Sequence, residues 1–251
     1  VINESGADAD FRVESDSNTH AFFINGEYKS LIGMATSSPV SYASGDTVLY
    51  LHGSANPAIA LSDNGQTRDY FITAQGSALN IQYADGSNTG SASNVTTLAS
   101  FDNSGHVTMP NQPAFSVTVN AAQNNIAVTS DVTINFGSEI FDVGSNFANN
   151  VFTAPVTGKY QLNLLLRVDN IDTAANYYII SFFSSNRNYR FIYDPGNFNG
   201  DPIYWATSFS VLADMDASDT VYVTFNQGDG TAQSDIDNNA TYHNFSGYLV
   251  A

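Results

Sequence analysis

Tyr177-Tyr178-Ile179-Ile180-Ser181-Phe182-Phe183 is apolar on both sides when read as a strand. Successive side chains of a strand alternate, so Tyr177, Ile179 and Phe183 share one face and Tyr178, Ile180 and Phe182 the other. A strand of this kind needs two covers. One face is expected inside a sandwich and the other against a neighbouring subunit, because soluble monomers avoid an exposed aromatic row. Tyr177, Tyr178, Ile179, Ile180, Phe182 and Phe183 are therefore the expected trimer interface, a wholly internal strand being the alternative. Around this stretch lie further long apolar runs: 115–119, 151–154, 160–168, 189–193, 203–212, 220–225 and 242–250. Together they predict an all-β sandwich. Upstream, turn pairs at Asn64-Gly65, Gln75-Gly76, Asp85-Gly86 and Ser104-Gly105 punctuate shorter strands at 47–51, 58–61, 69–73, 78–83 and 97–101. No stretch reads as a helix.

Charge narrows the partners. The chain of 251 residues carries 7 Lys and Arg against 24 Asp and Glu, a net charge of −17. Such a field repels phosphate backbones and anionic lipid, so nucleic acid and membrane insertion are not expected. With no cysteine, disulfides, thiolate metal sites and cysteine nucleophiles are excluded. No apolar run approaches the roughly 18 residues of a membrane-spanning helix. Val1 opens on neither an initiator Met nor a charged-then-apolar leader, so location is not read from a targeting signal.

Four segments are expected. Residues 1–34 carry too few large apolar side chains (Phe11, Val13, Phe22, Phe23, Leu31, Ile32) for a core of their own, which points to an intertwined trimeric β shaft. Residues 35–45, small and polar with Pro39, read as a connector, 46–109 as a β-repeat module and 110–251 as the jelly-roll head.

Phe152-Thr153-Ala154-Pro155-Val156-Thr157-Gly158-Lys159-Tyr160 resembles the strand-turn-strand of complement-q/tumour-necrosis-factor-like domains. Pro113 to Val117 is similar to the opening strand of that family, Leu212 to Val223 to its penultimate hairpin, and Phe245-Ser246-Gly247-Tyr248-Leu249 to its final strand. The resemblance covers 110–251 and implies a ten-stranded sandwich that trimerises around an aromatic and aliphatic axis. Asn3-Glu4-Ser5-Gly6 followed by Asp10 to Ser15 resembles a shaft motif of phage tail-fibre proteins, although Leu31-Ile32-Gly33-Met34-Ala35 departs from its usual ending. The middle segment, at 58–65 and 101–107, is similar to intermediate modules of such fibres. A homotrimeric component of a virion tail fibre that recognises a host cell-surface receptor follows from the two resemblances together. A trimerisation clamp of a virion fibre or spike and a bacterial extracellular adhesin are the alternatives. Other fibre or tail proteins are the remaining expected partners.

No catalytic residues are expected: the four histidines have no partner at metalloprotease spacing, and no nucleophile elbow or phosphate-binding glycine loop occurs. Asp235-Ile236-Asp237-Asn238-Asn239 starts like a calcium loop, but Ala240 replaces the necessary glycine and Ser246 the bidentate Glu. No cofactor is expected, with calcium left open only at a looser site holding Asp235 and Asp237. Counting strand directions back from the last strand sends loops 169–176, 194–202 and 226–241 to the free apex of the head, and turns 155–158, 186–188 and 214–219 to its base. The expected receptor-binding residues are Asp169, Asp172, Asp194, Asn197, Phe198, Asn199, Asp201, Asp229, Asp235, Asp237 and Asn238. Acids, amides and an aromatic platform suit a glycan or another polar surface structure.

Overall fold

The computed structural model describes residues 56–61, 68–85 and 95–251, together with the backbone of 11–15 and 18–24. The chain divides into two compact units, Val1–Pro110 and Asn111–Ala251. Among the described residues there is no helix long and apolar enough to cross a membrane.

In the first unit, β1 (Phe11–Ser15) and β2 (Asn18–Ile24) pair antiparallel, Phe11 opposite Ile24. The remainder of the expected shaft, the connector 35–45 and the strand expected at 47–51 lie outside the described residues. A meander follows: β3 (Ala58–Leu61), β4 (Arg68–Gln75), β5 (Ala78–Asp85), β6 (Val95–Asp102) and β7 (Val107–Thr108), each hydrogen-bonded to the next. The β4–β5 hairpin closes on Gly76 and Ser77, both in the left-handed region at φ 60° and 67°. Two such residues form the turn whose twist matches antiparallel strands.

This meander has its polarity inverted. One face pairs Ile59 with Ile72, Ile72 with Ile81, Leu79 with Phe101 and Tyr70 with Tyr83, and most of these side chains are exposed, Leu61 at 61% and Leu79 at 50%. On the opposite face Thr73 and Gln82 are buried, joined by a 2.9 Å hydrogen bond, and Gln82 donates to Thr97 at 3.0 Å.

The second unit is a sandwich of eleven strands. They are β8 (Ala114–Thr118), β9 (Val132–Thr133), β10 (Ser138–Val143), β11 (Phe147–Ala148), β12 (Val151–Thr153), β13 (Gly158–Asp169), β14 (Tyr177–Ser184), β15 (Tyr189–Tyr193), β16 (Tyr204–Met215), β17 (Thr220–Gly228) and β18 (Asn244–Leu249). One sheet has the order β10-β8-β18-β13-β16, the other β11-β12-β17-β14-β15 with β9 beside β17. From β12 onward the chain crosses between the sheets at every connection except the β14–β15 hairpin, the wrapping of a jelly roll. The backbone of β13 and β16 stays in register over twelve pairs, from Gly158 with Met215 to Asp169 with Tyr204.

Between the sheets lies an aromatic core. Phe115 stacks on Phe152 at 4.5 Å and meets Phe245 edge-on at 4.9 Å, and Phe182 stacks on Phe245 at 5.5 Å. Leu162, Leu166, Ile180, Val221, Val223 and Phe225 complete it, all fully buried. The interface expected on β14 is corrected here. Tyr178, Ile180 and Phe182 point into this core at 0% exposure, so no neighbouring subunit can reach them. Tyr177, Ile179 and Phe183 face outward and are partly covered by the chain itself: Phe183 packs on Tyr222 at 5.3 Å, and Tyr177 lies opposite Gly228. A Cβ on Gly228 would fall 2.5 Å from the Tyr177 ring, so glycine there makes room for it.

Candidate functional site

The three loops expected together do meet, at the end of the sandwich opposite Asn111. Loop 169–176 is tied to the β15–β16 loop by Asn170 N to Ile203 O (2.9 Å) and Ile171 N to Pro202 O (3.0 Å). It is tied to the β17–β18 loop by a bridge between Asp169 and Asp235 and by Asn176 N to Gly228 O (2.6 Å). A fourth loop, 119–131, joins them through Gln123 and Ile236. The basal turns meet likewise: Ala217 N donates to Thr157 Oγ1 at 3.0 Å and Asn186 Nδ2 to Asp214 O at 3.2 Å.

Most of the apical carboxylates, however, hold the loops to one another. Asp172 is 2% exposed and accepts hydrogen bonds from the backbone of Ala174 (2.8 Å), Ala232 (2.7 Å) and Thr231. Burial pushes its carboxyl up, but these donors and the Thr231 hydroxyl more than reverse that and hold it below its ordinary value. Asp235 accepts from Asn125 N at 2.6 Å and Asn170 Nδ2 at 2.8 Å. Asp201 accepts from the Thr173 backbone and hydroxyl, and these bonds lower its pKa. Asp194 caps the one-turn helix 195–197 through Gly196 N at 2.9 Å, and Asn197 donates back to Asp194 O at 3.4 Å.

Asp169 and Asp237 converge on Arg167, a residue the sequence reading passed over. The guanidinium reaches Asp169 at 2.7 Å and Asp237 at 2.5 Å, with the rings of Tyr204 and Tyr242 at 4.8 and 4.3 Å. Hydrogen bonding to Asp169 outweighs desolvation and raises the already high Arg167 pKa. The other oxygen of Asp237 lies 2.6 Å from Nε2 of the buried His243. An Arg two residues from the end of a long strand, level with the acidic loops, was the available signal.

Asp235 and Asp237, where calcium was left open, stand apart in their bonding. Their oxygens are engaged by different protein donors, and among the described residues no group of three or more His, Asp or Glu gathers as a metal site. Of the expected residues, Asp194, Asn197, Asn199, Asp201, Asp229 and Asn238 are exposed at the apex, and Phe198 is half-buried against Tyr193 at 5.2 Å.

A jelly roll displays its connecting loops from a rigid scaffold. Residues 114–250 match the C1q domain, and the chain belongs to that family. Domains of this family are commonly trimeric, bind partners and are generally non-enzymatic. Among solved structures, the globular domain of zebrafish complement 1qA protein is 20% identical, covering 56% of this chain and 98% of its own, with a TM-score of 0.41. Murine APRIL is 10% identical, covering 55% of this chain and 99% of its own, with a TM-score of 0.41. No curated protein gives a significant match.

Proposed function

We propose that this chain is a homotrimeric, non-enzymatic receptor-recognition component of a virion tail fibre, which displays its head to a polar or glycan structure on a host cell surface. The observation that carries the trimer is the inverted meander. Its apolar face (Ile59, Leu61, Ile72, Leu79, Ile81, Phe101) is exposed in one chain while the Thr73–Gln82 row opposite is buried. Copies of the same face around an axis bury it, and closed symmetry leaves no unmatched surface. On the head, the outer side of β13, β16 and β18 exposes Leu165, Leu212 and Tyr248 among polar neighbours such as Gln161, Asn163 and Ser246. Recognition is supported by the surviving apical groups and by the multiplication of weak contacts over three heads. The fibre assignment rests on the shaft motif at 3–15.

Light scattering on a size-exclusion column should give about 81 kDa for three chains of 26.9 kDa. Ile81→Asp, which puts a charge into the meander face, should lower that mass; an unshifted trimer would detach assembly from this face. Binding of the full chain to host cells then tests recognition. A second reading, a registration clamp that contacts no receptor, is favoured by the internal use of the apical acids. It predicts a trimer that binds no cells.

A further inference from the structure

Beyond the apex, the head carries a lateral cavity of about 380 Å³, built between the end of β8, the β9–β10 connection and the β11–β12 turn. Its polar lining is four amides and one carboxylate: Asn120, Asn135, Asn149, Asn150 and Glu139. None comes from the three apical loops. The side chains of Asn120, Asn149 and Glu139 make no hydrogen bond or ion pair among the described residues, whereas nearly every apical acid is engaged. Asn150 donates to Asn135 at 3.3 Å. Asn149 and Asn150 form the two-residue turn between Ala148 and Val151, with φ of 52° and 67°. Asn tolerates this left-handed geometry through its short polar side chain, which displays both amides beside the cavity. The buried rings of Phe136 and Phe147 back it.

From this geometry we infer that the cavity binds a neutral saccharide. Each amide offers a donor and an acceptor side by side, the complement of neighbouring sugar hydroxyls. Glu139 accepts from hydroxyls but repels phosphate and uronate, and no Lys or Arg lines the site to hold an anion. The volume lies in the range of small-molecule sites, about 300–1,000 Å³. Gly137 sets the geometry. A Cβ at this position would fall 2.3 Å from Nδ2 of Asn120, so only glycine lets that amide lie over the backbone at the rim. The assignment rests on the recognition reading for its biological meaning, but its chemistry stands on these residues alone.

The test is a microarray of neutral and acidic glycans probed with the full chain, Asn120→Ala and Gly137→Ala, with attachment to host cells measured in parallel. Gly137 does not sit in the left-handed region, so alanine strains no backbone there, and the displaced amide is an exposed side-chain end. Unchanged melting temperatures check that both variants fold. The expected result is retention of neutral glycans by the wild type, weakened about tenfold in each variant, the loss of roughly one well-placed hydrogen bond. Undiminished retention in both variants, or retention of acidic glycans alone, overturns the site. A wild type that attaches to cells but retains no neutral glycan also overturns it and leaves the recognition reading standing. A wild type that does neither sinks both.

Discussion

Asp172 is a stringent place to test how the apex is held, because its carboxylate is the acceptor around which two loops fold. Asp172→Ala removes the partner of three backbone N–H groups, at residues 174, 231 and 232, and of the Thr231 hydroxyl at 3.2 Å. A hydrogen bond to a charged acceptor contributes about 1.5–3 kcal/mol. Thr231 and Ala232 are exposed, so water takes up part of what they lose, and the net cost should be about 3 kcal/mol. For a chain of this size that lowers Tm by roughly 10 °C. Asp172→Asn keeps the volume but turns an NH2 toward donors, and should fall between the two. Calorimetry at one fixed protein concentration reads this, since assembly makes Tm depend on concentration. The pH dependence has a definite sign. The folded carboxyl lies below its unfolded value, so its contribution is complete above about pH 4 and is lost as pH falls through the folded pKa. The wild-type advantage over Asp172→Ala must therefore shrink under acid conditions. A Tm difference under about 2 °C at neutral pH, or one of equal size at every pH, would refute the argument.

Arg167→Ala leaves Asp169 and Asp237 facing each other without their shared cation and should cost about 2 kcal/mol in denaturant unfolding, discounted for partial exposure. Arg167→Lys should recover little, since a point charge reproduces neither the fork nor the stacking on Tyr204 and Tyr242. Gly247→Ala forces a methyl to within 2.8 Å of Phe115, 2.9 Å of Leu162 and 3.0 Å of the Gln161 carbonyl, and overpacking of about 1–3 kcal/mol should appear as a lowered Tm. Phe245→Ala opens the middle of the aromatic core and should cost about 3–5 kcal/mol by the same measurement.

The sequence made the direction of each long strand legible, and with it the gathering of the apical loops. From β12 onward the chain reverses at every connection, as it would in an up-and-down sandwich, so counting parity survived the crossings between sheets. Partnership was not legible. A count of acids says nothing of the donors that meet them, and two of the three backbone donors to Asp172 lie about sixty residues away. The assignment of β14 failed in part for a related reason: apolar residues on both faces show that two covers are needed, but not that one sheet and Tyr222 supply them. The short strands β9 and β11 carry two residues each, too few for alternation to show. The lateral cavity is assembled from asparagines at three separate places in the chain, of which only the Asn149-Asn150 turn had a local signature.

The placement of β8 has a mechanical consequence. This strand enters from Asn111, runs between β10 and β18, and is antiparallel to both. The residues just before it are fastened to the last strand by Leu249 N to Pro113 O at 2.9 Å and Gln112 Nε2 to Leu249 O at 3.2 Å. If the head is gripped at its far end while the preceding module pulls on Asn111, tension runs along β8 and loads both ladders in shear. The bonds on either side then resist together instead of opening one at a time, so the polypeptide link into the head is seated where a sheet is hardest to pull apart.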